Sequence, residues 1–162
     1  MERLDKTVKE AEKIVIMGIG NTLRSDDAAG IKIIEKLKEE IKGRKGITII
    51  NCGEAPENFL GKIEKIKPTH IIIVDAIEMY AEPGSIGIFQ EDEIKDYPTI
   101  STHNISPTIL LAYIREIIKA KTILIGIQPQ NIEFGEEITP KVKKAIKIVT
   151  EVLIEKLKER TR

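Results

Sequence analysis

The chain has 162 residues, 41% of them apolar and 32% charged, and its 26 acidic side chains balance 26 lysines and arginines. That length and balance fit an ordinary globular domain with a sizeable core, and exclude a disordered chain and the basic field of a general nucleic-acid binder. No apolar run approaches the ~20 residues of a membrane span, and the charged N-terminus does not read as a signal peptide. A lone cysteine, Cys52, excludes an internal disulfide and a multi-cysteine metal site. A cytoplasmic protein is the expectation.

Residues 2–12 carry Leu4, Val8 and Ala11 at helical spacing, which predicts a short amphipathic extension on the sheet edge. Ile14 to Met17 is a continuous apolar run, as in a strand buried on both faces. It ends in Gly18-Ile19-Gly20-Asn21, where glycines permit tight turns and close backbone approach. A helical pattern follows from about Asp27 to Lys42, with Ile31, Ile34, Leu37 and Ile41 on one face, closed by Gly43 to Gly46. Ile47 to Asn51 reads as a second strand. Pro56 opens a helix to about Ile66, since proline favours a first helical turn.

His70 to Asp75, HIIIVD, is another buried strand, and it ends on a carboxylate. Pro83-Gly84 marks a turn. Ser85 to Gln90 alternates as an edge strand does, which leaves antiparallel pairing open. Residues 91–105 are polar and irregular. Ser106-Pro107 starts a helix through Lys119, and Lys121 to Gln128 is the last buried strand. Thr139-Pro140 begins a long C-terminal helix to about Glu159.

Strands alternating with helices predict an α/β fold, a three-layer α/β/α sandwich on a mostly parallel twisted sheet of about five strands. Residues 1–162 read as a single domain, with 1–12 as an N-terminal extension of a core spanning 13–159.

Three polar groups at strand ends or in an adjacent loop stand out: Asp27, Asp75 and His103. Two carboxylates and an imidazole suit a divalent transition metal, although sequence separation says nothing about their distance in space. Asp27 has a second reading as a helix cap or dipole partner, a task that Ser25 or Asp26 could also fill; for Asp26 the cap is the favoured reading. Asp75 closes an apolar strand, so its carboxylate must face a crevice or be satisfied by a partner. A lone loop histidine such as His103 is often incidental, and His70, at a strand start, reads as structural.

Cys52 follows a buried strand and reads as a small core residue rather than a nucleophile with His103 as base. The glycine turn departs from a dinucleotide-binding fingerprint, because Leu23 occupies the third glycine position and no acid ends the second strand. No GxxxxGK[ST], GxSxG or HExxH motif occurs.

The run GIGNTLRSDDAAG resembles the N-terminal signature of the nickel–iron hydrogenase maturation endopeptidases. So do GEAPENF at 53–59, IIIVDAIEM at 71–79, PGSIGIF at 83–89, STHNISP at 101–107 and IGIQPQNIEFG at 125–135, collinear across residues 13 to about 150. Ala28 stands where a glycine is common, and Asp27 where some members have Glu. The GIQP and PENF blocks look closest to the branch serving hydrogenase-3-type and energy-converting enzymes.

The resemblance implies an endopeptidase that removes a C-terminal extension from a hydrogenase large-subunit precursor after nickel insertion, cutting after a basic residue. It implies that Asp27, Asp75 and His103 contact the metal and carry catalysis. The nickel would be supplied by the precursor, with other divalent metals able to occupy the site in vitro. The expected partner is that precursor, met transiently by a monomer, with no nucleic acid involved. Within this reading the three residues either grip nickel and license cleavage, or one aspartate serves as general base on a water. The loop Ala76 to Pro83 and the segment Gln90 to Ile100 are expected to wall the substrate cleft. A non-cleaving nickel-dependent checkpoint or chaperone shares the ligand set and differs in leaving the precursor's mass unchanged. A nucleotide-binding α/β protein stands third.

Overall fold

The structure is a computed structural model describing residues 1–94 and 105–160. Helix α1 (Glu2–Glu10) precedes strand β1 (Ile14–Gly18), whose five residues are all buried. A 3-10 turn (Ser25–Ala28) leads into α2 (Ala29–Glu40), and β2 (Ile47–Asn51) follows. A second 3-10 turn (Pro56–Phe59) runs into α3 (Leu60–Ile66), then β3 (His70–Ala76) and β4 (Ile86–Gln90). Beyond a helical turn α4 (Glu91–Ile94) come α5 (Pro107–Tyr113), β5 (Lys121–Ile127) and α6 (Pro140–Glu159).

The strands form one five-stranded sheet in the order β2-β1-β3-β5-β4. β1 pairs in parallel with β2 and β3, and β3 with β5, while β4 runs antiparallel to β5 with Ile86 opposite Ile127 and Gln90 opposite Ile123. The alternating side chains of each strand feed two cores. Ile14, Ile16, Ile72 and Val74 pack with α1, α2 and α6, whereas Val15, Met17, Ile71 and Ile73 pack with α3 and α5. Strands covered on both faces lose polar alternation and become apolar runs, as read from the sequence. The fold is the expected three-layer sandwich with one antiparallel edge strand.

Chain direction across the sheet reverses at β1. The β1–β2 connection, α2, covers one face, and the β2–β3 connection, α3, covers the other. A crevice therefore opens at the carboxyl ends of β1 and β3, where open α/β sheets place their ligands.

Several boundaries differ from the sequence reading. Asp27 lies in the 3-10 turn, and the α-helix begins only at Ala29. Close packing causes the delay: a Cβ on Gly30 would sit 2.4 Å from the carbonyl oxygens of both Ile19 and Val74. The helix axis must approach the sheet at that point, so the preceding residues tighten. The helix from Pro107 ends in a π turn, Ile114–Ile118, closed by left-handed Lys119, whose N–H reaches the Ile114 carbonyl at 2.7 Å. Residues 91–94, expected to be irregular, form a helical turn. The N-terminal extension does reach the sheet edge, where the Arg3 guanidinium donates to the Ile88 carbonyl on β4 at 3.0 Å.

His70 is structural, as expected. It is 6% exposed at the amino end of β3, with Nδ1 2.9 Å from Thr69 Oγ1. Burial, assisted by Lys121 and opposed by Glu10, pulls its pKa below the ordinary imidazole value. Because folding lowers this pKa, the stability involved is present above the unfolded value, about 6.5, and is lost as pH falls through the folded value. His70→Gln is expected to flatten the decline of the thermal midpoint between about pH 7 and pH 5, read from melting curves across that series. Gly30→Ala should cost about 1–3 kcal/mol in urea unfolding through overpacking. Gly61→Ala in α3, where nothing lies within 4 Å of the added carbon, should instead be neutral or stabilising.

Candidate active site

The site is built where β1 and β3 end. Beyond β1 the chain continues as Gly18-Ile19-Gly20, with the Ile19 N–H donating to the Val74 carbonyl at 3.0 Å and the Gly20 N–H to the Gly53 carbonyl at 2.9 Å. A Cβ on Gly20 would lie 2.1 Å from the Asp27 carbonyl oxygen. That oxygen accepts from the Asn21 N–H at 3.1 Å, and the Asp27 N–H donates to the Arg24 carbonyl at 3.0 Å. The glycine therefore lets the turn bearing Asp27 fold back on the strand that precedes it. Asp27 is 0% exposed, and its turn contacts β3.

Asp75 is 4% exposed near the end of β3, opposite Gly126 on β5. By strand alternation it shares the face of Ile71 and Ile73, and it borders a cleft of about 40 Å³ lined by Ile19, Pro56, Ile105, Pro107 and Leu110. Ser106 caps α5 beside this cleft by accepting from the Ile109 N–H at 3.2 Å. Two of the three residues singled out from the sequence thus stand at one end of the sheet, Asp75 on β3 and Asp27 on the 3-10 turn that folds back on the end of β1. His103 lies outside the described residues. Among the described residues, no group of three His, Cys, Asp or Glu side chains has metal-binding geometry.

Asp26 departs from its expected role. Neither the 3-10 turn nor α2 has a side-chain cap. The Asp26 carboxylate, 0% exposed, instead accepts from the backbone N–H groups of Gln130 at 2.8 Å, Asn131 at 3.1 Å and Thr139 at 2.7 Å. The Thr139 hydroxyl lies 2.8 and 3.0 Å from its two oxygens. Ser25 is no cap either: at a φ of 49°, it donates its hydroxyl to the Glu137 carbonyl at 2.7 Å. No local pattern pointed to these partners, more than a hundred residues downstream.

Gln128 was missed as well. It follows β5, buried, and its Oε1 accepts from the N–H groups of Met79 at 2.7 Å and Ala81 at 3.3 Å, while Nε2 donates to Glu78 at 3.0 Å. It thereby shapes the loop after Asp75, one of the two expected cleft walls. The signal that marked Asp75, a polar residue closing an apolar run, also marked Gln128. The other expected wall is corrected for its described part. Antiparallel β4 carries Gln90 to the amino end of the sheet, away from Asp75, and α4 stays there beside α1. Residues 95–100 lie outside the described residues.

The sequence profile described as hydrogenase maturation protease, HycI, matches residues 31–156. The chain belongs to the hydrogenase maturation protease family. It is 35% identical to the hydrogenase 3 maturation protease of Escherichia coli over 83% of this chain and 85% of that protein. A Methanocaldococcus jannaschii protein provisionally named as a hydrogenase maturation protease shares 40% identity over 96% of this chain and 95% of its own length. The crystal structure of the [NiFe] hydrogenase maturation protease HycI from Thermococcus kodakarensis superposes with a TM-score of 0.87, at 36% identity, covering 97% of this chain and 99% of that one.

For a member of a protease family, Cys52 is poorly placed as a nucleophile. It is buried among the α3 and α5 side chains, and burial pushes its thiol up to about 12, which leaves no thiolate at neutral pH. Among the described residues no helix is long and apolar enough to cross a membrane. Cys52→Ala is expected to leave the proteolytic rate unchanged, as read by precursor processing.

Proposed function

We propose that this protease removes the C-terminal extension of a nickel–iron hydrogenase large-subunit precursor once nickel is in place, and that Asp27, Asp75 and His103 contact the nickel the precursor carries. Membership of the family supports the activity. The observation that carries the site assignment is the placement of two buried carboxylates at the switch point, Asp75 near the carboxyl end of β3 and Asp27 on the turn folded back against the end of β1. Carboxylate and imidazole donors suit a divalent transition metal.

In this mechanism the metal is part of the substrate. The Asp27 turn, seated against Gly20, and the β3 end bearing Asp75 offer ligands whose positions are set before the precursor arrives. Binding the metal brings the adjoining polypeptide into register with the cleft, so the scissile bond is held by precursor and protease together. A precursor without nickel lacks that anchor and is not cut. The protease acts as a monomer that meets its precursor transiently.

The test is intact mass of the matching large-subunit precursor after incubation with the protease, with and without nickel loading. Loss of a C-terminal peptide from the nickel-loaded form alone is the expected result; an unchanged mass in both forms would refute the proposal. Asp75→Asn should lower cleavage of the loaded precursor by about 10²–10⁴-fold, as expected for a group engaged at the reacting centre.

A further inference from the structure

We infer that Asp26 is a positioning residue for Asp27, acting by locking the Asp27 turn onto the loop between β5 and α6; this deepens the proposed function and rests on it. Four consecutive residues before Asp27 are each bonded to that loop. The Leu23 carbonyl accepts from the Gly135 N–H at 2.9 Å. The Arg24 Nε donates to the Ile132 carbonyl at 3.1 Å, and its guanidinium lies over the Phe134 ring, 5.1 Å from the centroid. Ser25 donates to the Glu137 carbonyl, and the Asp26 N–H donates to the Asn131 carbonyl at 3.0 Å. The Asp26 carboxylate then gathers the N–H groups of Gln130, Asn131 and Thr139 together with the Thr139 hydroxyl.

The chemistry at this point calls for an aspartate. An ionised carboxylate has acceptor sites only, and every neighbour bonded to it is a donor. An asparagine would turn two N–H bonds of its own toward donors. Thr139 shows the strength of the demand: it occupies the N-cap of α6, yet its side chain makes no cap bond there and points its hydroxyl at Asp26. The weld serves the turn rather than the helix.

Asp27 is the next residue, and its carbonyl is trapped between Gly20 and the Asn21 N–H, so its backbone has no slack to absorb a shift at Asp26. Leu23 and Phe134 stay 67% and 69% exposed although their loops are tied together, so the bonds hold a surface turn rigid rather than bury apolar area. Supporting bonds of this kind orient the group that meets a metal.

The experiment compares steady-state cleavage of the nickel-loaded precursor by the full-length wild type, Asp26→Asn, Thr139→Val and Leu157→Ala. The last opens the α2–α6 core away from the site and calibrates simple destabilisation. All are measured at a temperature where circular dichroism shows each fully folded. Asp26→Asn is expected to lose about 10- to 100-fold in kcat with KM changed less than about threefold, the pattern of a displaced ligand. Thr139→Val should lose about 3- to 10-fold in kcat, and Leu157→Ala should lose none.

If Asp26→Asn keeps the wild-type kcat, or Leu157→Ala loses as much, the inference is overturned. If Asp26→Asn does not fold, Thr139→Val decides: wild-type kcat in that variant overturns the inference and the expected loss sustains it. Failure of the wild type to cut the loaded precursor would instead overturn the proposed function, and the inference with it.

Discussion

The first turn of α2 presses on the carbonyl oxygens of Ile19 and Val74 at a position where no Cβ fits, and most of the active end follows from that contact. Gly30 allows the helix to start directly above the gap between β1 and β3. The ten residues leaving β1 must therefore climb, turn and return within a few ångströms of the strand they came from. Gly20 makes the return feasible, and a 3-10 turn, tighter than an α-turn, completes it. A bulkier residue at position 30 would lift the helix, widen the gap and carry Asp27 away from β3.

Asp26, Asp27 and Asp75 are all buried at this end of the sheet, in different surroundings. Burying a carboxylate is costly unless hydrogen bonds or a countercharge replace the lost water. Asp26 meets that demand with a shell of backbone N–H groups and one hydroxyl, drawn from a loop 104 to 113 residues away. Asp75 stands at the rim of an apolar cleft, and Asp27 on a turn folded against the end of its own strand.

The same end of the sheet is organised by polar residues that close apolar strands. Asp75 is the next-to-last residue of β3 and Gln128 follows β5, where the sheet stops pairing and backbone groups of the neighbouring loop need partners. Gln128 supplies an acceptor to Met79 and Ala81, so the loop leaving Asp75 is held by the neighbouring strand rather than by its own sequence.

Chain-local chemistry determined much of this protein. Apolar runs at 14–17, 71–74 and 123–127 marked strands buried on both faces, because a parallel sheet covered by helices leaves no polar alternation. Ser106-Pro107 and Thr139-Pro140 marked helix starts, since proline fits a first turn and a hydroxyl residue precedes it. Asp75 was legible as a carboxylate with nowhere to go but a crevice. What only the tertiary structure decided was set by partners distant in the chain. The helix after β1 begins two residues late because Gly30 meets Val74 and Ile19. The antiparallel direction of β4 sends Gln90 away from the site. Asp26 and Asp27, neighbours and the same residue type, could not be separated by local propensity, because the donors that claim one of them come from the far end of the chain.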